Sequence, residues 1–155
     1  MSTDAGSGPV AAPTDSVWVE RVGTRTYVGV SNRGDRVGIS SPATAGTFTP
    51  GELLRIALAA CSGLSSDARL SLALGPGYQA VIRAYPTKAE GEERFSGFRE
   101  VMEVDLGGLD QATRERTKTL ALKSIDHNCT IGNTVSHGAT VPPLEFTQPP
   151  VGPGS

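Results

Sequence analysis

The sequence predicts an α+β chain in the order βββ-α-ββ-α-β, with no strict βαβ alternation and no internal repeat. Three observations predict it: Val, Trp, Tyr and Ile positions between Val17 and Ser40 broken by turn residues, an uncharged helical stretch around Cys61, and a charged helical stretch after Asp110. The 155 residues suit a single domain with a sizeable core, set at 16–147 between Ala/Gly/Ser/Pro-rich tails over 1–15 and 148–155.

From Val17 to Ser40, Gly23 and the run Asn32-Arg33-Gly34-Asp35 divide the apolar positions into about three short strands joined as hairpins. A Gly/Pro/Thr loop then ends in Thr49-Pro50, an N-cap followed by proline at the first helical position, and a helix is expected from Gly51 to about Leu74. Between Ile56 and Leu64 this helix has no charged side chain on any face, which predicts burial all round against a sheet or a partner subunit. Gly75-Pro76-Gly77 stops it. Two strands follow, about Tyr78–Pro86 and Phe98–Asp105, around a charged connection holding Lys88, Glu90, Glu92, Glu93 and Arg94. Asp110 caps a second helix, Gln111 to about His127, with Ala112, Leu120 and Ile125 expected inside and Arg114, Glu115, Arg116 and Lys118 in water. A last strand over Ala139–Thr147 is interrupted by Pro142-Pro143, which confines it to a sheet edge.

Charge and hydropathy exclude whole classes of function. The net charge is −2 and no Lys/Arg-rich run exists, so the attraction that drives nucleic-acid binding is missing. The longest uncharged apolar run, Ile56 to Leu64, has nine residues, far short of the ~20 that span a bilayer, so no membrane association is expected. The first residues lack the basic start and apolar stretch of a secretory signal, which predicts a cytoplasmic protein.

Two cysteines, Cys61 and Cys129, are too few for a disulfide scaffold, and in a reducing compartment they mean either packed thiols or redox chemistry. The neighbours of Cys61 are small (Ala59, Ala60, Ser62, Gly63), which leaves the helix backbone open to close approach by another element or a ligand. Cys61 lies about 15 Å along the axis from the helix start, beyond the reach of that helix's dipole. A nucleophilic Cys61 therefore needs a fixed cation from elsewhere, for which Arg21, Arg25, Arg33, Arg36 and Arg55 are candidates; Arg55 points to a different face of the same helix, and the N-terminal strands are the better source. His127 and Cys129 with His137 make a poor zinc set without a Cys-x-x-Cys, so neither metal nor cofactor is expected.

Thr49-Pro50-Gly51-Glu52-Leu53-Leu54 leading to Ala59-Ala60-Cys61-Ser62-Gly63, then His127-Asn128-Cys129-Thr130-Ile131-Gly132-Asn133-Thr134 with the second cysteine 68 residues after the first, resembles the OsmC/Ohr family over nearly the whole chain from Val17 to Phe146. The resemblance implies antiparallel sheets wrapped around long central helices in an intertwined homodimer. It implies a cysteine-based peroxidase of the oxidative stress response that reduces organic hydroperoxides, with Cys61 attacking the peroxide and Cys129 resolving the sulfenic acid as a disulfide. The family arginine falls on Arg25. The sequence departs from the family twice: Gly51 follows Pro50 where the peroxidases carry glutamate, leaving Glu52 one place later, and Thr130 stands where a proline often follows the second cysteine. Glu52 is too far along the helix to meet its own Cys61 and would act only across a dimer, or serve as a first-turn helix carboxylate. The implied reductant is a dithiol such as a lipoyl protein. Two other readings compete: a non-catalytic dimer binding a small apolar ligand, and a structural Cys61–Cys129 crosslink contributing on the order of 4 kcal/mol.

Overall fold

The computed structural model describes residues 16–148; the tails expected over 1–15 and from Pro149 onward lie outside them. The described residues fall into two compact units, one drawn from Met1–Ala60 and Ile82–Met102, the other from Cys61–Val81 and Glu103–Ser155.

In the first unit, β1 (Val17–Gly23), β2 (Thr26–Ser31), β3 (Arg36–Ser40) and β4 (Thr47–Phe48) form a sheet in sequence order. The three strands of the meander are where the turn residues place them. Ser31 and Asp35 close the second turn through main-chain bonds and a 3.1 Å bond between Ser31 Oγ and Asp35 Oδ2, while Gly34 takes φ 91, a region glycine enters without steric cost. The strands pair antiparallel, Trp18 opposite Val30 and Val28 opposite Gly38. The short β4, parallel to β3, was not expected. It follows a loop that comes so close to Gly38 that an added Cβ would sit 2.7 Å from the Gly46 carbonyl oxygen.

Thr49 and Pro50 open α1 (Pro50–Leu74) as the sequence predicts. Thr49 Oγ1 accepts from the Glu52 amide at 3.2 Å and Glu52 Oε2 accepts from the Thr49 amide at 2.8 Å, a reciprocal capping box. Gly75, at φ 89, ends the helix with its N–H on the Ser71 carbonyl. Within one chain Leu58 and Ala59 are buried, while Ile56 is 46% and Leu64 80% exposed. One chain covers only part of the helix surface.

The hairpin of β5 (Ala80–Lys88) and β6 (Phe95–Val104) starts and ends a few residues from the expected bounds, and its charged turn is closed by the Ala89 amide on the Arg94 carbonyl. In the second unit, Asp110 caps α2 (Gln111–Asn128) through the Thr113 amide. The inward face differs from the prediction by register. Thr117 and Ala121 are buried, Leu120 and Ile125 only partly, and Ala112 is exposed. Thr117 satisfies its hydroxyl on the Thr113 carbonyl, so a threonine is tolerated there. An unexpected helix, α3 (Thr130–His137), follows directly. The expected strand over Ala139–Thr147 is absent: this stretch has no regular structure, and Val141, Leu144 and Phe146 are 88%, 82% and 94% exposed. Pro142 and Pro143 lack the N–H groups a ladder needs.

Candidate active site

The two cysteines meet within the second unit. Cys61 lies on α1 and is partly accessible, whereas Cys129, between α2 and α3, is 2% exposed. Both are free thiols, and each shifts the ionisation of the other. Around them α1 presents serines at helical spacing. Ser65 lies one turn after Cys61, and Ser62 Oγ lies 4.0 Å from Cys129 Sγ. Ser66, fully buried, returns its hydroxyl to the Ser62 and Gly63 carbonyls.

The environments push the two thiols apart. Cys61 is lowered from the ordinary thiol range, first by the Ile131 main-chain N–H, against the opposing effect of burial, and then by Cys129, the Thr130 N–H and Ser65. Cys129 is raised, first by burial and then by Cys61. Of the two thiols, Cys61 therefore gives up its proton the more readily.

Cys129 also holds two helices together. Its N–H donates to the Ile125 carbonyl and closes α2, and its sulfur accepts the Gly132 N–H at 3.2 Å and opens α3. Sequence reasoning missed this junction because Thr-Ile-Gly-Asn-Thr-Val is a poor helix former and cysteine is an unusual cap. The one usable signal for Ser65 was its i+4 spacing from Cys61.

The remaining predicted residues lie in the first unit. Arg25, in the turn between β1 and β2, has φ 52, the one positive φ outside glycine among the described residues. Its Nε donates to the Ser41 carbonyl, and it borders a cavity of about 310 Å³ with Tyr27, Ile39 and Pro50. A non-glycine residue in this region is strained and persists where its surroundings hold it. Glu52, besides its capping role, borders a cavity of about 260 Å³ with Arg55, Phe48, Ile56 and Ile82. The Thr49 N–H holds its carboxyl below the usual range. Among the described residues no three His, Cys, Asp or Glu side chains converge as metal ligands, and no helix is long and apolar enough to cross a membrane.

No family model matches the chain. Uncharacterized proteins of Mycobacterium tuberculosis and Mycobacterium bovis are 46% identical over 125 residues, covering 81% of this chain and 91% of theirs. Among solved structures, an OsmC-like protein from Mycoplasma pneumoniae matches with TM-score 0.61 at 11% identity, covering 80% of this chain and 88% of that one. An OsmC-like protein of unknown function from Vibrio cholerae matches with TM-score 0.55 at 17% identity, over 79% and 94% of the two chains. A hypothetical protein from Aquifex aeolicus matches with TM-score 0.62 at 16% identity, over 81% and 89%.

Proposed function

The chain belongs to one family with its mycobacterial relatives and has the OsmC-like fold, and from this premise we propose that it is a thiol-dependent peroxidase for organic hydroperoxides. The observation that carries the reading is the pair of neighbouring free thiols with linked, opposite shifts, Cys61 down and Cys129 up. The Cys61 thiolate attacks the distal oxygen of ROOH. A sulfur–oxygen bond forms, the oxygen–oxygen bond breaks, and the departing alkoxide takes a proton to become ROH. The Cys129 thiol then loses its proton and attacks the Cys61 sulfenic acid, forming the disulfide and releasing hydroxide as water. The two sulfurs supply both electrons, and an external dithiol, such as a lipoyl protein, restores them by exchange.

The reading extends to Arg25 as the guanidinium that stabilises the departing alkoxide, and to Glu52 as a carboxylate acting across a homodimer. Self-association is supported by the exposed Ile56, Leu64 and Leu72 of α1, since large apolar side chains on a helix with few charges call for a covering surface. The test is intact-mass analysis of the reduced protein after one equivalent of cumene hydroperoxide, with peptide mapping. Rapid formation of a Cys61–Cys129 disulfide is expected; two unreacted thiols would overturn the proposal.

A further inference from the structure

Two groups approach the sulfur of Cys129 from different elements. The Gly132 N–H of α3 donates to Cys129 Sγ at 3.2 Å, and Ser62 Oγ of α1 lies 4.0 Å from the same atom, within reach of a hydrogen bond to so large an atom. Cys129 and Ser62 are 2% and 3% exposed, so little water reaches either. The Gly132 N–H can only donate, which suits the lone pairs of the sulfur and offers nothing to its S–H proton. A hydroxyl can do both, since it has one O–H donor and two acceptor lone pairs and turns about its Cβ–Oγ bond to present either. The next serine along, Ser66, spends its hydroxyl on the Ser62 and Gly63 carbonyls at 2.9 and 3.1 Å. Ser62 instead sets its oxygen against the thiol of another element, and it follows Cys61 directly, so the helix that carries one thiol also carries a hydroxyl against the other.

We propose that the Ser62 hydroxyl is the group that lets Cys129 act as the second nucleophile: it accepts from the Cys129 thiol, and it donates to the Cys129 thiolate that forms when the thiol gives up its proton. The inference rests on the reading of Cys129 as the resolving thiol. A thiolate formed where water is scarce needs donors fixed in the protein, because desolvation disfavours the charged form. Burial does push the Cys129 thiol up, and Ser62 and the Gly132 N–H are among the groups that oppose it. The step balances: the S–H bond of Cys129 breaks, its proton joins the hydroxide leaving the Cys61 sulfenic acid to give water, and the sulfur's electron pair forms the disulfide. Ser62 ends as it began. The other ionisable groups around Cys129 are accounted for. Cys61 of α1 raises it further. Elsewhere on α1, Asp67 accepts from the Tyr78 hydroxyl at 2.8 Å and Arg69 is exposed. Lys123, Asp126 and His127 of α2 are exposed, and His137, at the far end of α3, sets Nδ1 against the Asn133 carbonyl at 2.8 Å.

Ser62→Ala tests this without a peroxide, using an aryl disulfide, dithiobis(nitrobenzoate). The Cys61 thiolate attacks the probe, releasing one aryl thiolate and leaving a mixed disulfide. Cys129 then attacks the Cys61 sulfur, a second aryl thiolate leaves, a proton passes to solvent and the Cys61–Cys129 disulfide remains. Both releases are followed against pH by stopped-flow absorbance. Alanine is the best helix former, so the variant should keep its fold, checked by circular dichroism. The first release is expected to be unchanged. The second should slow roughly threefold at a fixed pH below its midpoint: losing one hydrogen bond to a charged group leaves roughly tenfold less thiolate, and the greater nucleophilicity of the more basic sulfur returns about half of that on a logarithmic scale. Its profile should move to higher pH and rejoin the wild type as the pH rises. An unmoved second release in folded Ser62→Ala, a deficit of equal size at every pH, which marks a displaced sulfur, or no second release in the wild type would overturn the proposal. If Ser62→Ala does not fold, the wild-type Ser62 Cβ resonance decides: it is expected to titrate with Cys129 and to stay flat in Cys129→Ser, and a resonance that does not titrate overturns it. A moved second release in a protein that leaves cumene hydroperoxide intact keeps the role of Ser62 and removes the peroxidase reading; hydroperoxide turnover with an unmoved second release does the reverse.

Discussion

Cys129 serves as cap and as thiol, and two substitutions separate the roles. Cys129→Ala removes both. Losing the N-cap of α3, where Cys129 Sγ accepts the Gly132 N–H at 3.2 Å, costs about 1 kcal/mol. Emptying the sulfur's volume at a position 2% exposed adds about 1 kcal/mol. The total, roughly 2 kcal/mol, corresponds to a fall in Tm of about 4–8 °C for a chain of this size. Cys129→Ser removes the resolving thiol but keeps an acceptor at the cap, and serine is among the preferred N-caps, so its loss should stay below about 1 kcal/mol. The assay is urea unfolding of the reduced proteins at one fixed concentration, which keeps any self-association equal across the set. With peroxide, both variants should complete one turnover and accumulate oxidised Cys61. Equal destabilisation of the two would refute the cap; sustained turnover in Cys129→Ser would refute the resolving role.

The shifts also predict pH behaviour. Cys61 should be alkylated at pH values below the ordinary thiol range and Cys129 only above it, followed by peptide mapping in the reduced protein. In stability terms the lowered Cys61 contributes above the unfolded thiol range, and that contribution is lost as pH falls through its folded value. The raised Cys129 contributes below the unfolded range and is lost as pH rises through its folded value. Glu52, lowered by the Thr49 N–H, likewise contributes above the usual carboxylate range and is lost in acid; Glu52→Gln, which keeps an acceptor without the charge, should flatten the acid limb of the unfolding midpoint against pH. Thr49→Ala should cost about 1 kcal/mol through the same cap. Leu64→Glu, at a position already 80% exposed, should leave the chain folded and lower its sedimenting mass if α1 is the covered surface; an unchanged mass would remove that face from the interface.

Local chemistry was legible where one residue type has one structural use. Asn32-Arg33-Gly34-Asp35 could only be a turn between strands, Thr49-Pro50 only a helix start, and Asp110 only a cap, and each is found there. The second helix was placed correctly while its inward face was not, because Thr117 enters the interior by bonding its own helix, which apolar counting does not register. The exposed Ile56 and Leu64 mark a different limit: an uncharged stretch signals burial, but not whether its cover lies in the same chain. For α3 the pattern fails outright. Its β-branched residues, glycine and asparagine are weak helix formers, and what holds its start is the sulfur of Cys129, a cap that residue preferences do not single out.

The same limit explains why the sequence asked for a cation beside Cys61. The helix that carries Cys61 begins too far away to act on it, and from composition alone an arginine is the natural remedy. The structure has a helix start of another kind: α3 begins at the residue after Cys129, and main-chain N–H groups of its first turn are among the causes that lower Cys61. In the proposed peroxidase, proximity of the resolving thiol and activation of the attacking one would then both follow from the junction between α2 and α3. Burial at that junction pushes the Cys129 thiol up, so the asymmetry between two identical side chains arises from position alone. In the proposed peroxidase an arginine supplied elsewhere would be left free for the alkoxide, whose charge appears only as the oxygen–oxygen bond breaks, and stabilising that charge would lower the barrier without stabilising the thiolate that must react.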